Sequence, residues 1–539
     1  MLFNSYIYLY LFLPLVLLIY FLCLRYHLIQ VSTYVLIFAS VCFYIYWDFS
    51  ILPLLCASTL FNFTLGKLIY YCQKKDRNIY FTPKIWNKNI LTRIPNFFNL
   101  NLNLNFNSRF NFYKVQTSNG PELEKSTSES NETITTPFFR SSNLAKILLI
   151  IGLGSNIFLL FHYKYFNFVV ENINYVFSLN LLNNPIILPL GISFYTIQQM
   201  AYLFNVYEKY DYQPKLNKYF FYTTYFPHLI AGPIIQHHEI VPQLDKLKSY
   251  VFNKRNFFLG LFILSIGLFK KSFLADSLAP LAKISLDFSS TSYFIKNFIS
   301  SLSYTLQLYF DFSAYTDMAV GSSLLFNIVM PENFDSPLRS TSVDQFWKRW
   351  HMSLSRYINA YLYTPWLKSM DKITINKTIM VTIFSFVIIG IWHGANWTYL
   401  VFGAMHGCAV ALSFWWRKKK IFKLPKVVAL LLTFFFVMLS LEIFRAPNIG
   451  AGISMVSSLL NPFNLGSFYD YYLKVAELNL TYNLLLIPLG LAIVFGIPNT
   501  IELKKVYKLN FKFIFATLLF LILGTYFIKS NSEFLYFIF

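Results

Sequence analysis

Residues 378–416 read TIMVTIFSFVIIGIWHGANWTYLVFGAMHGCAVALSFWW and contain no Lys, Arg, Asp or Glu. Lys377 precedes them and Arg417–Lys420 follows. A helix needs roughly 20 apolar residues to cross a bilayer, so this stretch is long enough to cross and return. Basic residues collect on the cytoplasmic side. Both ends are therefore expected inside, joined through a hairpin or a re-entrant pair. Either arrangement carries His393, near the midpoint, away from the cytoplasm. An ionisable residue in such surroundings is expensive and is a functional candidate by default. A neutral imidazole can take a proton from a hydroxyl. The bland alternative is a histidine that only bonds a neighbouring helix. Gly394 beside it permits close backbone approach.

The whole chain fits the same solvent. Of its 539 residues 56% are hydrophobic and 13% are charged, with a mean hydropathy of +0.48. Soluble domains carry about 25% charged residues, so folding in water would leave large apolar areas exposed. The net charge of +21 is explained by basic cytoplasmic loops and calls for no nucleic acid. Phe and Tyr, at 60 and 39 residues, reflect both membrane anchoring and an AT-rich codon bias. Cys23, Cys42, Cys56, Cys72 and Cys408 lie in or beside apolar runs without metal spacing and read as small core residues.

Outward from 378–416, apolar runs recur. The first spans Tyr6 to Leu24. It lacks the positive flank of a cleavable leader and is expected to stay in the membrane. Ile29–Trp47 and Ile51–Cys72 follow. The basic residues Arg25, Lys74, Lys75 and Arg77 set the N-terminus outside and the loop after Cys72 inside. That loop, 73–146, holds an alternating run, Asn99–Asn107, and a polar stretch, GPELEKSTSESNET, that reads as disordered. Runs resume at Ile147–Phe161, Ile186–Val206, Tyr219–Ile235, Phe257–Leu274, Phe294–Phe312 and Ser313–Met330. A basic loop at 331–377 precedes the opening stretch. Val427–Phe444, Leu484–Phe495 and Phe513–Phe527 complete the set. The expected fold is an all-α integral membrane protein. It has about 11 transmembrane helices, plus re-entrant and interfacial helices, around a central cavity. Broken backbone, as at Ala231-Gly232-Pro233, survives in a membrane only inside protein or along a cavity. The organisation reads as 1–72 N-terminal helices, 73–146 cytoplasmic insertion, 147–417 catalytic core and 418–539 C-terminal helices.

Further residues invite chemistry. His406, thirteen residues past His393, lines the same cavity or bonds within the bundle. His351 sits in SVDQFWKRWHMSLSRYINAYLYTPW, where aromatic and basic residues alternate. That pattern suits either a lipid-anchoring interfacial helix or a platform for an anionic donor with a second imidazole. Asp311 and Asp317, in YTLQLYFDFSAYTDMAVG, need partners if buried, as structural glue or as orienting groups. His228 lies beside the helix breaker and lines the cavity. His27, His162, His237 and His238 fall at membrane edges or loops. No P-loop, dinucleotide fingerprint, paired metal-ligand motif or nucleophile elbow is present.

Read together, these segments resemble the membrane-bound O-acyltransferase family, in particular its bacterial alginate O-acetyltransferase branch. The blocks that carry the likeness are LPLGISFYTIQQMAYLFNVY (188–207), YFPHLIAGPIIQHHEIVPQL (225–244), YFDFSAYTDMAVG (309–321), PENFDSPLRSTSVDQFWKRWHMSLSRY (331–357) and IWHGANW (391–397). The resemblance implies that His393 and His351 are the catalytic histidines. Trp392, Asn396, His406, Asp311 and Asp317 line or support the cavity, and Lys348, Arg349 and Arg356 are candidates for holding the donor. It implies acetyl-CoA as a donor substrate rather than a resident cofactor, and no metal. It implies a cell-surface polysaccharide acceptor, a periplasmic partner protein and a place in the bacterial inner membrane. The family's Arg-Asp pair before YLY reads Asn359-Ala360 here, and its Gly-Gly-Asn-Arg stretch reads Trp366-Leu367-Lys368-Ser369. Two rival readings stand beside it. One is D-alanyl transfer to teichoic acid from a carrier protein. The other is a transporter or channel with His393 and the two aspartates as a relay.

Overall fold

Hydropathy that rises and falls every 20 residues or so becomes helix after helix in the computed structural model. It describes residues 1–75, 143–181, 186–209, 214–284, 294–420, 422–464, 468–529 and 534–535. The expected insertion, including the Asn99–Asn107 run, lies outside the described residues except at its two ends. Among the described residues every regular element is helical. In chain order the helices are α1 (Leu13–Arg25), α2 (Ile29–Ile45), α3 (Leu52–Lys75), α4 (Asn143–Leu160), α5 (Phe166–Phe177), α6 (Ile192–Lys209), α7 (Leu216–Thr224), α8 (Phe226–Leu229) and α9 (His237–Ile240). Then come α10 (Lys254–Phe269), α11 (Asp276–Lys283), α12 (Phe294–Leu325), α13 (Val343–Arg349), α14 (Met352–Ile358), α15 (Thr364–Lys368), α16 (Ile375–His393), α17 (Trp397–Lys418) and α18 (Lys426–Arg445). The chain closes with α19 (Ile449–Leu460), α20 (Phe468–Glu477), α21 (Thr481–Leu484), α22 (Leu486–Gly496), α23 (Thr500–Val506) and α24 (Phe511–Tyr526).

Seven helices among the described residues are long and apolar enough to cross a membrane, and an eighth if α21–α22 and the bent α23 form one span. The sequence reading of about eleven also includes α2 and α24, which are apolar but shorter. Phe294–Phe312 and Ser313–Met330, read as two runs, are one continuous helix, α12. It is buried without interruption from Ser303 to Leu325. Its serines, tyrosines and aspartates face other helices rather than lipid, which is why hydropathy alone divides it wrongly. Tyr219–Ile235 is not one span either: it breaks at Tyr225 and again at Ala231–Pro233. The cysteines correct a second expectation. None is buried and Cys408 is exposed. In a bilayer the outer surface is also apolar, so hydropathy does not separate core from lipid-facing positions.

Among the described residues four π-helical turns interrupt or border the helices, at Tyr8–Phe12, Phe161–Tyr165, Lys270–Ala275 and Asn359–Tyr363. Such turns re-aim side chains and recur at functional sites. The Phe161–Tyr165 turn reaches the site described below. Residues 378–416 form a hairpin, α16–α17, rather than a re-entrant pair. Each arm is long enough to cross. The arms meet closely at Gly390 and Gly403: a Cβ on Gly403 would stand 3.1 Å from the Gly390 Cα and closer still to the Phe386 carbonyl oxygen. Gly403→Ala is expected to push the arms apart at a cost of about 1–3 kcal/mol, read as a lower melting temperature in detergent.

Candidate active site

His393 is the last residue of α16, with 6% of its surface exposed. Its ring centroid lies 5.2 Å from Trp392, 5.4 Å from Phe444 and 6.3 Å from Phe402. His351, Lys164 and His406 are near enough to act on it electrostatically. A helix C-terminus presents unpaired carbonyls and a partial negative charge. The π-helical turn after α4 supplies what they require. Tyr165 Oη donates to the Ile391 carbonyl at 2.9 Å, and Lys164 Nζ donates to the Trp392 carbonyl at 2.6 Å and to Ser193 Oγ at 3.1 Å. The hairpin tip is fixed by Asn396. Its side chain caps α17 by accepting from Thr398 N and donates to the Pro447 carbonyl at 2.9 Å. Asn396 is thus a support for the tip.

His351 comes from a different direction. The segment read as an interfacial helix is not continuous. It stops after α13, turns at Trp350–His351 and restarts as α14. His351 is fully buried, at 0% exposure, and adopts the left-handed conformation with φ 45°. Its Nδ1 lies 3.3 Å from Asn333 Oδ1, an oxygen that also accepts from Ser353 N at 3.0 Å and Ser353 Oγ at 2.9 Å. A backbone N–H only donates, so the atom it meets on Asn333 is the oxygen, and His351 Nδ1 carries the proton. Nε2 is then the basic nitrogen of this imidazole. Burial pushes the His351 pKa down to about 3, so the ring is neutral at cytoplasmic pH. Ser353 Oγ also accepts from Ile234 N at 2.9 Å, which ties the Ala231-Gly232-Pro233 break to the same hub. Both histidines lie near Trp392, whose ring is 6.3 Å from His351 and 5.2 Å from His393. Asn333→Ala would leave several buried donors unmet at about 1–3 kcal/mol each. Its melting temperature is expected to fall in detergent, with impaired turnover.

His406 has a supporting role. Its Nδ1 accepts from Trp347 Nε1 at 3.0 Å, and indole N–H only donates. The proton is therefore on Nε2, which donates to Ser440 Oγ at 2.8 Å, and Ser440 donates on to the Val437 carbonyl. Both ring nitrogens are engaged, and the fully buried Trp347 is held against Phe386. At the other end of α13, Asp344 pairs with Arg417 and, at 3.4 Å, with Lys348. Burial works to raise the Asp344 pKa, but the Arg417 guanidinium, the Ser342 hydroxyl and Lys348 together outweigh it and hold the carboxyl below its ordinary value. So α13 runs from the basic end of the hairpin toward His351.

The two intramembrane aspartates act as glue. Asp311 Oδ1 pairs with Lys271 at 2.7 Å and its Oδ2 accepts from Leu535 N. Lys271 also pairs with Asp276 at 2.8 Å. Asp317 pairs with Lys270 at 2.7 Å and accepts from Thr500 Oγ1 at 2.9 Å. The partners of the two aspartates are thus lysines, a hydroxyl and a backbone N–H. Of the three basic residues read as donor contacts, Arg356 is paired with Glu239 at 2.7 Å and Lys348 with Asp344. A cavity of about 580 Å³ opens near the basic end of the hairpin, lined by Ser342, Trp416, Arg417, Lys423, Lys426 and Phe436 among others. His237, read as a loop residue, starts α9 and is buried against Tyr202.

Lys164 and Asn333 escaped the sequence reading. Lys164 had a signal, since a cation inside the apolar run FHYKYFNF is itself anomalous in a membrane. Asn333 had none: its value lies in three partners that are remote or adjacent in ways that only the fold reveals.

The membrane-bound O-acyltransferase family model matches residues 41–420. The chain belongs to this family. His393, His351, Trp392 and Lys164 all lie inside the family's matched range. Among relatives, the chain is 38% identical over 343 residues to the peptidoglycan O-acetyltransferase of Helicobacter pylori, covering 58% of this chain and 65% of that protein. It is 34% identical over 341 residues to a protein of Azotobacter vinelandii named "Probable alginate O-acetylase AlgI", covering 61% of this chain and 65% of the other. A match of 28% identity over 244 residues reaches the teichoic acid D-alanyltransferase of Bacillus subtilis, covering 43% of this chain and 62% of the other. The chain thus spans a little under two thirds of the length of these family relatives.

Proposed function

We propose that this protein is an O-acyltransferase of the bacterial inner membrane, with its N-terminus outside. It moves an acetyl group from cytoplasmic acetyl-CoA toward a hydroxyl of a cell-surface glycan. The observation that carries this reading is the placement of His393, at the hairpin tip, and of His351 with their rings 5.2 and 6.3 Å from that of Trp392. At 1.5 Å per residue, α16 carries His393 about 27 Å from its basic end, close to the roughly 30 Å depth of the hydrocarbon. A base at that depth serves an acceptor from the outer face. The donor approaches from the other end, where Arg417, Lys423 and Lys426 line the cavity and suit an anionic thioester. Arg349 adds a cation with no ion pair among the described residues. His393 takes the acceptor's proton, and His351 presents Nε2 from the donor side.

The relative's name makes peptidoglycan the first acceptor to test, with other exopolysaccharides of the alginate type next. A periplasmic protein completes delivery to the polymer. The teichoic acid D-alanyltransferase among the relatives supports a second reading, in which the donor is a D-alanyl carrier protein. Purified protein in nanodiscs, offered labelled acetyl-CoA or labelled D-alanyl carrier protein, separates them. Release of free thiol with label transfer is expected from acetyl-CoA. Turnover of only the D-alanyl carrier would replace the first reading by the second, and turnover of neither would overturn both.

A further inference from the structure

The site holds a donor that goes unused among the described residues. Trp392 Nε1 is buried and has no hydrogen-bond partner among them. An indole nitrogen donates and never accepts, and a buried donor left unmet costs about 1–3 kcal/mol. The other buried indole of this region, Trp347, is satisfied by His406. The Trp392 ring is fixed on several sides. Phe194 meets it edge-on at 5.6 Å, His393 lies 5.2 Å away and His351 6.3 Å away. Lys164 Nζ stands 5.7 Å from its centroid. A fixed, buried, unspent N–H on a ring near two imidazoles is what a developing negative charge requires.

We infer that the Trp392 indole N–H is the oxyanion donor of acyl transfer, on a residue whose backbone carbonyl is held by Lys164. The inference rests on the acyltransferase reading above. In the step, His393 removes the proton of the acceptor hydroxyl while its oxygen bonds to the thioester carbonyl carbon. The carbonyl π electrons move onto oxygen, and Trp392 Nε1–H donates to that oxyanion. On collapse the C=O bond re-forms, the C–S bond breaks, and the leaving thiolate takes the proton from the His393 imidazolium. One acyl ester and one thiol result, with no proton or electron left over. The ground-state carbonyl is a weaker acceptor than the oxyanion, so the donor acts mainly in the transition state.

The test compares wild type, Trp392→Phe and Trp392→3-benzothienylalanine, the last an isostere that keeps the ring's size and replaces N–H by sulfur. Each is assayed in nanodiscs with the thioester that wild type consumes. Loss of one such donor is expected to lower kcat by about 10²–10³-fold with KM within threefold and an unchanged melting temperature. A purely structural Trp392 would instead lose stability or binding with the isostere as well as with phenylalanine. Retention of kcat within twofold in the isostere overturns the assignment, even if Trp392→Phe fails to fold. A wild type that consumes no thioester defeats the acyltransferase reading instead.

Discussion

Replacing His393 by alanine is expected to lower acyl transfer by about 10²–10⁴-fold, the range a positioned general base supplies. The protein should still fold. The end of α16 is secured by backbone carbonyls that accept from Tyr165 and Lys164, and the tip by Asn396. None of these bonds uses the imidazole. The removed ring leaves a gap among Trp392, Phe402 and Phe444, so a modest fall in melting temperature is expected. The measurement is label transfer by purified variant in nanodiscs, with melting followed in detergent. Near-normal transfer by a folded His393→Ala protein would remove the base from the mechanism. His393→Gln, which keeps polarity without useful basicity, should be as inactive as alanine.

The second large effect concerns assembly. Lys271 is 2% exposed and lies between Asp311 and Asp276 at 2.7 and 2.8 Å. Lys271→Ala would leave two buried carboxylates without their shared cation. Breaking a buried pair from one side costs about 3–5 kcal/mol, and here one cation serves two acids. The expected outcome is little or no folded protein in the membrane, read by size-exclusion of the detergent extract. The triple change Asp311→Asn, Asp276→Asn and Lys271→Met should recover folding in part, because removing all three charges together avoids an unpaired ion. Normal yield of the single variant would show that these groups are not buried as ions.

The parts of this architecture that sequence reveals are those governed by apolar length. The hairpin 378–416 is legible because two uncharged arms meet at a glycine-bearing tip between basic ends. The histidine at that tip follows directly. Polar helices inside the bundle are illegible by the same rule. α12 carries Asp311, Asp317 and many hydroxyls, and its burial is decided by partners such as Lys270 and Lys271 that lie some forty residues earlier in the chain. The role of His406 was left open between cavity and support because its neighbours, Trp347 and Ser440, are 59 and 34 residues away. Asn333 shows the limit most sharply. Nothing about PENFD marks an asparagine that decides which nitrogen of His351 holds the proton.

The left-handed backbone at His351 has a consequence for the stability of the chain. A side chain at that φ costs of order 1–2 kcal/mol that glycine would not incur. Glycine at 351 would relieve that strain, but it would give up the buried ring's contact with Phe312 and its bond to Asn333. An imidazole there is a standing load on the fold. What that load supports is a neutral imidazole whose ring lies 6.3 Å from that of Trp392.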